Sequence, residues 1–167
     1  MPSYEFAVEL TVGDNTAFTV RGALRALGYD ELERVERADI LRLHVADDGL
    51  SVDEIGAALT RAEVLFNPNK HRLVRAALPA TSLHEAVVSD VDDDASALAE
   101  LLRERFGISG LERIERATAW RLYEQAGAAG AERLTWACRT LLANAYSQTF
   151  VVRSSPTRTL VKVAAGK

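Results

Sequence analysis

Apolar and polar residues alternate from Tyr4 to Val12, with Tyr4, Phe6, Val8 and Leu10 on one side. This is the period-two pattern of a strand with one covered face. Gly13-Asp14-Asn15-Thr16 breaks it and offers N-cap candidates. Val20, Ala23, Leu24 and Leu27 then recur at helical spacing, and Gly28 is placed to end that helix. Leu32 to Val45 reads as a long strand with Val35, Leu41, Leu43 and Val45 on one face. Arg37 and Asp39 interrupt that face, which predicts a bulge or a solvated section near Ala38. Ser51-Val52-Asp53-Glu54 is a capping-box pattern opening a second helix, with Ile55, Leu59 and Ala62 inward. After Asn67-Pro68, Arg72 to Leu78 gives a third strand.

The same order returns. Leu83 to Val91 is a strand, and Asp92-Asp93-Asp94 is expected to cap a helix carrying Leu98, Leu101, Leu102 and Phe106. Leu111 to Glu124 is a second long strand, and Gly127 to Gly130 a short connector. Leu134, Ala137, Cys138, Leu141 and Leu142 form an amphipathic stripe. Tyr146 to Arg153 closes the order, and Thr157 to Val163 is a candidate for one more strand.

The recurrence is also one of identity. Leu32 to Ala38 reads LERVERA and Leu111 to Ala117 reads LERIERA, and residues 4–45 match 83–124 without a gap at 13 positions. Ala7-Val8 meets Ala86-Val87, and Gly28 meets Gly107. Beyond residue 45 the offset falls to 77, pairing Leu65-Phe66-Asn67-Pro68 with Leu142-Ala143-Asn144-Ala145. Each copy holds about 80 residues, close to the lower limit for a self-sufficient core. The expected fold is therefore α+β: two tandem β-α-β-α-β units packed as an intramolecular pseudo-dimer, helices on one side of a small sheet. The units span 1–79 and 80–155, with a tail at 156–167 and the boundary near Pro79-Ala80-Thr81.

Composition changes this picture little. At 48% apolar and 26% charged the chain is ordinary for a globular protein. A net charge of −4 argues against nucleic acid, which wants a basic face. No apolar run approaches the roughly 20 residues of a membrane span, and the N-terminus lacks signal-peptide character. A lone cysteine, Cys138, fits a reducing cytoplasm.

No catalytic constellation is evident. His44, His71 and His84 lie on or beside strands without metal-ligand spacing, and Cys138 sits on an apolar stripe as a buried thiol would. The loop of Asp90, Asp92, Asp93 and Asp94 lacks the calcium-loop arrangement. The Glu-Arg doublets of the long strands can pair across antiparallel neighbours and fix register. Neither a catalytic residue, a cofactor nor a metal is expected.

Ala23-Leu24 in the first helix, the Val-containing long strand and Cys138-Arg139-Thr140-Leu141-Leu142-Ala143-Asn144 together resemble the PurS family. PurS is the small subunit of phosphoribosylformylglycinamidine synthase, and the resemblance covers nearly all of both copies. It implies a tandem, non-catalytic scaffold in purine biosynthesis. Such a subunit bridges the synthetase and glutaminase subunits of an ATP- and glutamine-dependent complex and supports ammonia transfer. The family's Asp-Pro-x-Gly segment is absent before the first helix, and its Arg-x-Gly-Lys is replaced by Arg37-Ala38-Asp39 and Arg116-Ala117-Thr118.

Expected partner or inter-repeat contacts are Arg37, Asp39 and Arg116 in the altered strand segment, and Asn67 and Asn144 at the helix-end turns. The aromatics Trp120, Tyr123 and Trp136 join them. A homodimer is the expected assembly. The alternatives are a free-standing PurS-like module that binds a small metabolite or adapts a homo-oligomer, and an enzyme whose site forms between the halves.

Overall fold

The computed structural model describes residues 1–163. The chain runs β1 (Ser3–Leu10), α1 (Asn15–Ala26), β2 (Leu32–Val45), α2 (Val52–Leu59) and β3 (His71–Asp90). It continues through α3 (Ser96–Phe106), β4 (Leu111–Glu124), β5 (Gly127–Ala128), α4 (Ala131–Ala137) and β6 (Gln148–Leu160). One π-helical turn, Cys138–Leu142, extends α4.

All described strands join one mixed-length antiparallel sheet in the order β5-β4-β2-β1-β3-β6, and β3 also pairs with β4. That extra pairing closes β4, β2, β1 and β3 into a four-strand ring. β3 makes closure feasible because it is 20 residues long and changes partner along its length. Its first part pairs with β1 through Val74↔Ala7, its second with β4 through Val87↔Ala119, and β6 follows both.

Strand alternation gives the ring two chemically different faces. Phe6 and Val8 of β1, and Leu41, Leu43 and Val45 of β2, point outward beneath α2 and α3. Ala86 and Val88 of β3 and Trp120 and Leu122 of β4 point outward beneath α1 and α4. Each such Leu, Ile or Phe contributes roughly 1.5–3 kcal/mol when fully buried. The intervening residues face inward, where small side chains such as Ala7, Ala38 and Ala119 pack with Ile40, Val74 and Val87.

Helix ends follow local chemistry. Asp14 caps α1, accepting from the N–H groups of Thr16 and Ala17 at 2.9 and 3.1 Å. Ser51 and Glu54 complete the capping box of α2. Gly107 ends α3 in the left-handed region at φ 69°, which a residue without Cβ adopts at little cost.

Several expectations differ. Of the bulge or solvated section expected near Ala38, the solvated one is present, with Asp39 exposed, while the β2–β4 register runs unbroken from Arg34 to His44 and is irregular only at its two ends. Arg37 and Asp39 face outward without disrupting the ladder because ion pairing and exposure accommodate them. β3 runs through Pro79-Ala80-Thr81, and Gly127-Ala128 forms a strand paired with Tyr123 and Glu124. Residues 156–160 of the expected tail belong to β6, and residues 164–167 lie outside the described residues. Asp92-Asp93-Asp94 gives α3 no side-chain cap at its N-cap residue, Ala95. Only Asp94 accepts a nearby amide, from Ser96 at 2.9 Å, because Asp93 is drawn to Arg116.

Candidate functional site

The inward face of the ring carries charge as well as alanine. Glu5 and Glu9 alternate with Ala7 on β1, and Glu85 precedes Ala86 on β3. Such carboxylates are costly to bury unless cations meet them. Glu85 is fully buried, and three arginines converge on it. Arg153 donates to its Oε1 at 2.8 and 3.0 Å, Arg158 to Oε2 at 2.8 Å, and Arg121 to Oε2 at 3.3 Å. The Ser155 hydroxyl donates to the same Oε2 at 3.3 Å and accepts from Arg121.

The cluster extends along the lumen. Arg153 also binds Glu5, which accepts from Arg42 at 3.0 Å, and Arg42 reaches Glu115 of β4 at 3.2 Å. Glu9 accepts from Arg72 at 2.6 Å and from Arg158 at 3.2 Å. Burial alone would raise the Glu5 carboxyl, but Arg153 and Arg42 outweigh it and hold the group below its ordinary value. Burial likewise opposes charge on Arg153, yet Glu5 and Glu85 keep its pKa above the usual one. Arg158 goes the other way. Its burial dominates, with Arg121 nearby, and its pKa is pushed down. The Arg158 Nε–H is buried without an acceptor among the described residues.

Arg158 and Arg121 line a cavity of about 230 Å³ at one mouth of the ring, with Arg72, Arg37, Glu9 and Glu36 around it. Arg37 is fixed there by Asp14 at 3.1 Å, and Glu36 turns to Arg34 and to the Tyr123 hydroxyl, which donates at 2.9 Å.

The residues singled out in the sequence do not gather in one place. Arg37 stands at this mouth. Asp39 and Arg116 line a separate groove of about 360 Å³, where Arg116 is held by Asp93. Burial works against its charge, but Asp93, foremost through its hydrogen bonds, raises the pKa of Arg116. Asn67 and Asn144 form matching turns. Their side-chain oxygens accept from the amides of Asn69 and Tyr146, and their own amides donate to His71 and Gln148. Trp120 is buried beneath α1 and α4, and Trp136 packs edge-on against Tyr29 with ring centroids 5.8 Å apart. Tyr123 carries the Arg34 guanidinium over its ring at 4.0 Å.

Sequence reasoning missed the carboxylates and arginines of the lumen, and Tyr29. Tyr29 is fully buried, and its hydroxyl donates to Glu124 at 2.5 Å. Burial and that carboxylate push its pKa well above the ordinary tyrosine value. The available signal was alternation itself, since Glu5, Ala7 and Glu9 share a strand face. Cys138 is buried, and burial pushes its thiol up to about 11, away from nucleophile chemistry. Among the described residues no group of His, Cys, Asp and Glu is arranged to hold a metal ion, and no helix is long and apolar enough to cross a membrane.

No protein-family model matches the sequence, and no curated protein matches it either.

Proposed function

We propose that the chain is a tandem PurS-like scaffold, two β-α-β-α-β units spanning 1–79 and 80–155 that pack as a pseudo-dimer within one polypeptide. The observation that carries this reading is recurrence of the same contacts at the repeat offset. Arg37 binds Asp14 and Arg116 binds Asp93, each partner 79 residues on. The Asn67 and Asn144 turns recur 77 residues apart with donors and acceptors at matching positions. Exchange of halves is supported by register: Arg37 pairs with Trp120, and its counterpart Arg116 pairs with Leu41, the counterpart of Trp120. Each outer core also draws one helix from each half, α2 with α3 and α1 with α4.

As a scaffold of phosphoribosylformylglycinamidine synthase the chain bridges the synthetase and glutaminase subunits in the cytoplasm and supports ammonia transfer between them, without a catalytic centre of its own. Fusion suits this role, because a short linker gives the halves a millimolar-range effective concentration for each other. The exposed Asp39 and the Arg116 of the same groove are the partner-facing residues in this reading. Tandem chains pair as a homodimer through the open edge of β6, since an unpaired edge recruits a further strand. The test is co-purification of the full chain with both subunits. Retention of both at fixed stoichiometry supports the scaffold, and failure to retain either removes it.

A second reading, a free-standing PurS-like module that binds a small metabolite, is favoured by the arginine-lined cavity at the mouth of the ring.

A further inference from the structure

We propose that the cavity between β1, β2, β4 and the end of β6 is a binding site for a small oxyanion, a carboxylate or a phosphate monoester, held by Arg121 and Arg158 from within and by Arg72 at the rim. The proposal deepens the metabolite-binding reading and is independent of the scaffold one.

Three observations converge. The cavity of about 230 Å³ has room for a ligand of a few heavy atoms. Arg121 and Arg158 both line it and share one carboxylate oxygen, Glu85 Oε2, at 3.3 and 2.8 Å, with Ser155 and Glu9 as their further acceptors. Arg158 is nine-tenths buried, and its Nε–H has no acceptor among the described residues. A buried guanidinium with an unused donor is normally costly, and an oxyanion in the adjoining space supplies acceptor oxygens and charge together.

The lining carboxylates are already engaged, Glu9 with Arg158 among its donors, and none accepts from the Arg158 Nε–H. Asp14 is engaged by Arg37 and by the start of α1, Glu9 by Arg72 and Arg158, and Glu36 by Arg34 and Tyr123. Arg72 is the most accessible of the arginines here, 58% exposed and bound among the described residues only to Glu9, so it can swing toward an entering anion. Burial lowers the Arg158 pKa despite its bonds to Glu85 and Glu9, so further negative charge beside it is stabilising. Planar carboxylate and tetrahedral phosphate both accept paired arginine donors, and the lining does not favour one over the other.

The full chain is titrated calorimetrically with sodium phosphate and with sodium succinate, against sodium chloride at matched ionic strength, with thermal denaturation in parallel. At least one oxyanion is expected to bind saturably at one site and raise Tm where chloride does not. Phosphate alone binding assigns a phosphate-type ligand, and succinate alone a carboxylate. Arg72→Gln, at an exposed rim position, is expected to weaken binding by about tenfold or more with unchanged Tm in the absence of anion. The control Arg105→Gln, at an exposed position of α3, is expected to leave binding unchanged. Arg158→Gln should abolish binding if it folds, and Arg72→Gln decides the matter if it does not. No effect beyond chloride from either anion, or equal weakening by Arg72→Gln and Arg105→Gln, overturns the site. Saturable binding of an uncharged metabolite without any oxyanion effect would keep the metabolite reading and remove this site.

Discussion

Arg37 Nε lies 3.1 Å from Asp14 Oδ2, so the acid that caps α1 is also tied to the middle of β2. The counterpart pair, Arg116 with Asp93, ties β4 to the loop before α3, whose N-cap residue, Ala95, has no side-chain cap. One aspartate thus does two jobs in the first half, and Asp93 does only the pairing in the second.

Asp14→Ala is accordingly expected to cost more than Asp93→Ala. Loss of the cap alone is worth about 1 kcal/mol, whereas an ion pair with a half-exposed arginine contributes at most about 1 kcal/mol. Urea denaturation of both variants checks the order.

Glu85→Gln should be among the most destabilising single changes in the chain, at about 3–5 kcal/mol, because it leaves three buried or half-buried arginines without their shared counter-charge. Glu63→Gln, an exposed site on the loop after α2, should stay within about 0.5 kcal/mol. Chemical denaturation at neutral pH separates the two.

Acid should loosen the fold through Glu5. Its folded pKa lies below the ordinary 4.5, so the unfolded chain takes up the proton first as pH falls. The stabilisation is present above the unfolded pKa and is lost as pH falls through the folded one. Urea midpoints followed across that acid window should decline, and Glu5→Gln should make the decline shallower. An unchanged slope in that variant would contradict the role of Arg153 and Arg42.

Trp120→Ala should cost about 3–5 kcal/mol by opening a cavity between β4 and the α1–α4 pair. Half-buried Trp136, resting on the edge of Tyr29, should lose less on the same change. Intact stability in Trp120→Ala would show that this indole is not core.

The thiol of Cys138 should react with maleimide only as fast as the α4 region opens, since it is fully buried and pushed up to about 11. Labelling in native buffer and in urea gives the comparison; rapid native labelling would contradict the burial.

Helices and long strands were legible because their signals are local. The Ser51–Glu54 box and the β2 and β4 patterns needed no tertiary information. Register was harder. Sequence identity sets Ala7-Val8 against Ala86-Val87, yet Phe6 pairs with Leu41 while Ala86 pairs with Trp120, which lies 79 residues beyond Leu41. Ala86 therefore takes the outward place of Phe6, a slip of one residue that identity cannot reveal but the pleat decides. The candidate site was the least legible part. Its charges come from β1, β2, β3, β4 and β6, and apart from Arg153 and Arg158, five residues apart on β6, its members Glu5, Glu85 and Arg121 are scattered along the chain. Arg37 was the one predicted residue that falls at the mouth.

The link from Glu5 to Arg153 spans 148 positions and sets the order of events during synthesis. The ribosome delivers Glu85 well before Arg153 and Arg158, so a nascent chain holds that acid without two of its three arginines, while Arg42 and Arg72 already stand beside Glu5 and Glu9. The ring itself closes through β3 and β4, and late residues such as Arg153 and Arg158 arrive as the fastening over a shape begun at the other end.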